Sequence, residues 1–242
     1  MYGVRTDVRR ATSGGWIHGR SLESGMNTQR VALLAVLIGL ATGCANEPRS
    51  RDTANPNVSG ETLALQVCSN CHGVTGNSTS PNFPNLAAQQ EAYVIAQLSQ
   101  FKSHSRQDPA GFEYMWGLSH RLTDKQIKEL ATHFAAEKPE HQRVEGKVER
   151  IAAGKLIFTG GVPGKGIPPC ASCHGPEAEG KAAFPRLAGQ HADYLVKQLS
   201  VFQRTNDRPE GSIMKTVAHE LTRENILDVA DFLQAMPNET AR

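Results

Sequence analysis

Apolar residues recur at helical spacing in several stretches of the chain, and each stretch has a counterpart about a hundred positions further on. Ile127, Leu130, Ala131 and Phe134 fall at i, i+3, i+4 and i+7, which predicts a helix over 123–136. Ile226, Val229, Ala230 and Leu233 repeat that spacing. Val94, Leu98 and Phe101 predict a middle helix, echoed by Leu195, Leu199 and Phe202. The stretch 149–161, "ERIAAGKLIFTGG", reads as a helix ended by glycines, and its counterpart at 60–67, "GETLALQV", is shorter. Thr123 and Gln126 form a capping box. Thr222 and Asn225 stand in the same places without the Glu or Gln arm, so that helix start is expected to be looser. Between these segments the chain is rich in loops, and no strand pattern stands out. The expected fold class is all-α.

The counterparts belong to a tandem repeat. "VCSNCHG" at 67–73 and "PCASCHG" at 169–175 align at an offset of 102, "FPNLAAQ" (83–89) and "FPRLAGQ" (184–190) at 101, and "MWGLSHRLT" (115–123) and "MKTVAHELT" (214–222) at 99. Small drifts of this kind are loop deletions between duplicated domains. The expected boundaries are a first domain at 58–137, a charged linker at 138–149, a second domain at 150–237 and a tail at 238–242.

The start of the chain has a different pattern. A short basic segment from Met26 leads into an apolar run, Val31 to Ala41, that ends in small residues before Cys44. The run is too short to span a bilayer comfortably and has the flanks of a secretory signal at 26–43. "LATGC" resembles a bacterial lipoprotein box, which makes Cys44 a lipidation candidate; an ordinary signal with an incidental cysteine is the alternative. Residues 1–25 precede a good signal and read as a gene-model extension or a disordered arm. Residues 44–57 read as a flexible tether.

Composition narrows the function classes. Aromatic residues make up only 6% of the chain, and small domains this poor in aromatics need another source of buried apolar area, such as a cofactor. The formal charge is +2, too weak to suggest a nucleic-acid partner. Without residues 1–43, Lys+Arg falls from 26 to 21 and Asp+Glu from 24 to 22, so the remaining chain is near −1.

Five cysteines are present. Cys44 is the lipidation candidate, and Cys68/Cys71 and Cys170/Cys173 form two C-x-x-C pairs. A thioredoxin-like site would need a βαβ setting. A zinc site would leave the adjacent histidines and the duplicated surroundings unexplained, while structural disulfides are an alternative open to an exported chain. C-x-x-C-H is the haem c attachment pattern: the thiols add to the haem vinyl groups, and His72 and His174 stand beneath the iron as proximal ligands. Two haem c groups are expected.

The other face of each iron needs a ligand. Met115, 43 residues after His72, aligns with Met214, 40 residues after His174, and the two are the candidate distal ligands. Met236 has no counterpart and reads as core filler. His120 and His219 are also paired by the repeat and are the rival ligands. His104, His133, His141 and His191 are unpaired and read as solvated.

With these motifs in view, the chain over roughly 58–237 resembles the dihaem cytochrome c4 family. The resemblance implies two tandem class I cytochrome c domains packed face to face. It also implies a periplasmic carrier of electrons from the bc1 complex or other donors to a terminal oxidase, often of the cbb3 type, or to a periplasmic reductase. No small-molecule substrate and no enzymatic activity are implied. A haem subunit of a dihaem oxidoreductase, or such an enzyme itself, for example a thiosulfate dehydrogenase, is the alternative. By the same resemblance the carbonyls of Pro84 and Pro185 accept the histidine ring N–H, and Leu86 and Leu187 wall the haem. Tyr93, Tyr194, Gln97 and Gln198 would reach the haem edge or the domain interface, or simply pack, and Arg106, Arg204 and Arg208 are candidates for pairing haem propionates. Cys44 departs from the soluble members of the family and implies a tether to the membrane through an N-terminal lipid.

Overall fold

The computed structural model describes residues 50–140 and 147–236. The expected extension at 1–25, the signal at 26–43, Cys44, His141 and the tail at 238–242 lie outside the described residues. Among the described residues the regular elements are helical, apart from two isolated bridges, Val162–Ile167 and Lys181–Phe184. No described helix is long and apolar enough to cross a membrane.

The first half begins with α1 (Gly60–Leu63), a π-helical stretch (Ala64–Cys68) and α2 (Ser69–His72), which follow one another without a break. Next come α3 (Glu91–Lys102), a π-helical turn (Gly111–Met115), α4 (Trp116–Ser119) and α5 (Asp124–Ala136). The second half follows the same order: α6 (Val148–Gly160), α7 (Ala171–His174), α8 (Ala192–Arg204), α9 (Ser212–Ala218) and α10 (Arg223–Ala235). Helix α6 starts inside the segment expected as linker. At the end of the expected tether, the Gln126 amide donates to the carbonyls of Asn55 and Val58, each at 2.9 Å.

Each half is built on a crossing of its first and last helices. Ile127, Leu130 and Phe134 of α5 pack with Leu63 and Ala64, and Val229, Ala230 and Leu233 of α10 pack with Ile157 and Phe158. Both crossings are closed by a glycine. A Cβ on Gly60 would lie 2.4 Å from the Cβ of Glu129, and one on Gly154 would lie 2.0 Å from the Asp228 carbonyl. Glu129 and Asp228 are equivalent in the repeat, so the two glycines do the same work. They precede His72 by 12 residues and His174 by 20, because the second half carries extra loop after α6.

One expectation is corrected. The start of α10 is not loose: Asn225 Oδ1 accepts the Thr222 N–H at 3.1 Å, and Thr222 Oγ1 accepts the Asn225 N–H at 3.1 Å. The shorter amide arm is long enough to close the box.

Candidate functional site

Helices α2 and α7 each end on the histidine of the C-x-x-C-H motif. The residue that follows, Gly73 or Gly175, takes φ of +79° or +83°, where a side chain would be strained. The chain then turns back so that a proline carbonyl meets the imidazole. His72 Nδ1 lies 2.9 Å from the Pro84 oxygen, and His174 Nδ1 lies 3.0 Å from the Pro185 oxygen. A carbonyl can only accept, so Nδ1 carries the proton and the Nε2 lone pair is left for a metal. Both imidazoles are buried, 8% and 6% exposed. Burial lowers their pKa and the carbonyl bond only partly opposes it, so the neutral, ligating form is favoured. Phe83 and Phe184 meet the two rings edge-on, at 6.2 and 6.1 Å between centroids.

A cavity of about 790 Å³ runs beside both histidines. Its wall includes Cys68, Cys71, Pro84, Leu86 and Met115 from the first half, and Cys170, Cys173, Pro185, Leu187 and Met214 from the second. The C-x-x-C-H residues and the methionines paired by the repeat thus converge. The rival ligands do not: His120 and His219 are exposed and are absent from this wall. Met236 is buried in the second core.

The four thiols are free, and among the described residues no three His, Cys, Asp or Glu gather as a metal site. Burial pushes the Cys68 thiol up to about 12 and the Cys170 thiol up to about 11, with the neighbouring cysteine of each pair adding to it. A volume of this size at the upper end of small-ligand cavities, lined by apolar side chains, free thiols and a neutral imidazole, fits haem bound through thioethers. Two buried acceptors on the wall, Gln100 Oε1 and Glu210 Oε2, have no protein partner.

Between the halves lies a polar network with two-fold character. Arg106 grips both oxygens of Asp108, at 2.7 and 3.1 Å, while Arg208 holds Glu210 at 2.9 Å. Arg106 donates to Gln97 at 2.6 Å and to Gln198 at 3.2 Å. Arg208 donates to Gln198 at 2.6 Å and to Gln97 at 2.9 Å. Each guanidinium also lies over a phenylalanine of its own half, Phe101 or Phe202. Burial opposes ionisation of Asp108, but the bonds and charge of Arg106, with Gln198 and Arg208, overcome it and hold the carboxyl below its ordinary value. The two arginines line the cavity and already have carboxylate partners; Arg204 is exposed and does not line it.

A second set of reciprocal bonds flanks this network. Gln89 accepts the Arg186 N–H at 2.8 Å and donates to the Arg186 carbonyl at 3.1 Å. Gln190 does the same to Asn85, at 2.8 and 3.0 Å. Asn85 also donates to the Gly189 carbonyl at 2.9 Å. His191, expected to be solvated, is instead 6% exposed and sits 2.9 Å from the Ser78 carbonyl across the interface. His104 is exposed but stacks on Trp116. The repeated glutamine at the end of "FPNLAAQ" and "FPRLAGQ" signalled this clasp, although periodicity alone assigned it no role.

Comparison with known proteins agrees with this geometry. The cytochrome c family model matches residues 58–135 and 151–237. Cytochrome c4 of Pseudomonas aeruginosa is 36% identical over 216 residues, covering 87% of this chain and 100% of the relative. The cytochrome c4 structure from Acidithiobacillus ferrooxidans matches with a TM-score of 0.65 at 39% identity, covering 69% of this chain and 97% of that one. A thiosulfate dehydrogenase structure from Marichromatium purpuratum matches with a TM-score of 0.67 at 29% identity, covering 75% of this chain and 40% of that one. Sequence and fold thus agree over both halves, and the chain belongs to the dihaem cytochrome c4 family, an electron carrier with two covalently attached haem c groups.

Proposed function

We propose that the chain passes single electrons between redox proteins of the periplasm and its membrane, with His72 and Met115 as axial ligands in the first half and His174 and Met214 in the second. The observation that carries this reading is the cavity wall, to which each half brings one histidine with a committed Nδ1–H, one methionine and its C-x-x-C pair. Haem c supplies the one-electron ferric/ferrous couple.

The chain's own residues do the rest. Cys68, Cys71, Cys170 and Cys173 fix the groups in place. The Pro84 and Pro185 carbonyls orient the imidazoles and raise their basicity. Leu86 and Leu187 wall the haems and keep water away. Arg106 and Arg208, which line the cavity while paired with Asp108 and Glu210, would offset propionate charge. With His72 and Met115, and His174 and Met214, holding the haems, the protein would leave no iron site for a substrate, which favours a carrier over a catalyst.

The signal pattern at 26–43 supports export, and a lipid on Cys44 would hold the carrier close to membrane-bound partners at raised effective concentration. A quinol-oxidising donor such as the bc1 complex, and a cbb3-type oxidase or a periplasmic reductase as acceptor, fit that location. The likeness to the thiosulfate dehydrogenase structure favours a second reading, a haem subunit of a dihaem oxidoreductase or such an enzyme itself.

A visible spectrum with a haem-to-protein ratio tests the first reading, on chain made in a host that matures c-type cytochromes. Two haems per chain, the weak charge-transfer band of methionine-bound ferric haem and no response to carbon monoxide are expected. A haem that takes up carbon monoxide moves its half to the second reading.

A further inference from the structure

Met115 and Met214 occupy equivalent places, but their surroundings differ. A thioether is a neutral, weak ligand, so its hold on an iron depends on how firmly its segment is placed. In the first half the next residue, Trp116, donates its indole N–H to the Arg106 carbonyl at 2.8 Å. The indole is held flat against His104, with 4.3 Å between centroids and 12° between planes, and Phe112 meets it edge-on at 6.3 Å. Gly111 makes the approach possible, since a Cβ there would lie 2.7 Å from the Arg106 oxygen and 3.3 Å from the indole nitrogen. The buried Ser119 hydroxyl donates to the Met115 carbonyl at 2.6 Å. Arg106 is itself locked to Asp108, Gln97 and Gln198 at the domain interface.

The second half has neither tie. Lys215 stands where Trp116 does, and its ammonium reaches out to the exposed Asn206. Ala218, fully buried, stands where Ser119 does and has no hydroxyl to donate. Gln203 holds the carbonyls at the far end of α9, those of Ala218, His219 and Leu221. Among the described residues no side-chain hydrogen bond ends on the backbone of Met214.

We infer that Trp116 is a positioning residue for Met115, tying it through Arg106 to the domain interface, and that Met115 is therefore the more firmly held of the two axial methionines. The inference rests on the reading of both methionines as ligands.

Imidazole competition on the ferric, fully haem-loaded protein tests it, followed through loss of the methionine charge-transfer band. Two phases are expected in the wild type, with Met214 displaced at the lower imidazole concentration. M115A and M214A should each delete one phase and so assign them. W116F keeps a ring in place but removes the N–H, and should move the Met115 phase to lower imidazole by roughly two- to tenfold, the worth of one hydrogen bond. The Met214 phase should stay put, as an internal control for folding. S119A should move the same phase in the same direction. If M115A and M214A each delete a phase while W116F and S119A shift neither, or shift both phases equally, the inference fails and the ligand reading stands. If M115A leaves both phases intact, the ligand reading falls and takes the inference with it.

Discussion

The side chain of Gln89 reads both backbone atoms of Arg186, accepting the N–H at 2.8 Å and donating to the carbonyl at 3.1 Å. Gln190 repeats this against Asn85. Neither bond partner belongs to the same half, so these two amides fasten the halves directly. Replacing Gln89 by Leu removes two buried interdomain bonds and should cost about 2 kcal/mol. Denaturant unfolding followed at the haem absorbance would show it, with the transition losing cooperativity as the halves separate.

Asp108 is 1% exposed and paired with Arg106, so D108N should destabilise by about 3 kcal/mol near neutral pH, because the Arg106 charge is left buried and uncompensated. The sign of the pH dependence follows from the depressed carboxyl pKa. The stability supplied by the Asp108 charge is fully present above the unfolded value of about 3.9 and is lost as pH falls through the lower folded value. Wild type and D108N should therefore converge at acid pH. Thermal unfolding measured across the acid range checks both the gap and its closure.

Gly154 tolerates no Cβ, because the Asp228 carbonyl would lie 2.0 Å away. G154A should force α6 and α10 apart and destabilise the second half by about 3 kcal/mol. G60A should do the same in the first half, against Glu129. Unfolding of each variant, read at both haems, distinguishes the halves. Equal loss in both halves from G154A would contradict the packing argument.

Thr222 caps α10, with its hydroxyl accepting the Asn225 N–H at 3.1 Å. T222A should cost about 1 kcal/mol and raise amide exchange at the start of α10.

Much of the fold was legible because the sequence is written twice. Ile127 and Ile226, or Met115 and Met214, would each be ambiguous alone, and the repeat made them positions rather than residues. Short-range chemistry was legible for the same reason, as in C-x-x-C-H and Thr123 with Gln126. What the sequence hid was long-range. The two crossing glycines are masked by the longer loop after α6, so Gly60 and Gly154 fall at different distances from their histidines. The burial of His191 depends on a carbonyl, Ser78, more than a hundred positions away. The arginines could be named as polar partners for a cofactor, but their bonds to the glutamine of the opposite half, Arg106 to Gln198 and Arg208 to Gln97, span about a hundred positions. The π-helical turn that delivers Met115 has no signature in residue type.

The clasp formed by Gln89 and Gln190 is the contact of a symmetric dimer, with the same surface meeting itself across an approximate two-fold axis. Carrying both copies on one chain lifts the constraint that symmetry places on a dimer encoded once, where every substitution appears on both sides. Here Trp116 can follow one methionine and Lys215 the other, and Asp108 can differ from Glu210, while the shared surface stays matched. Covalent fusion turns a pair of identical redox centres into two that can be tuned separately, and a difference between them is what gives electron flow within one molecule a direction.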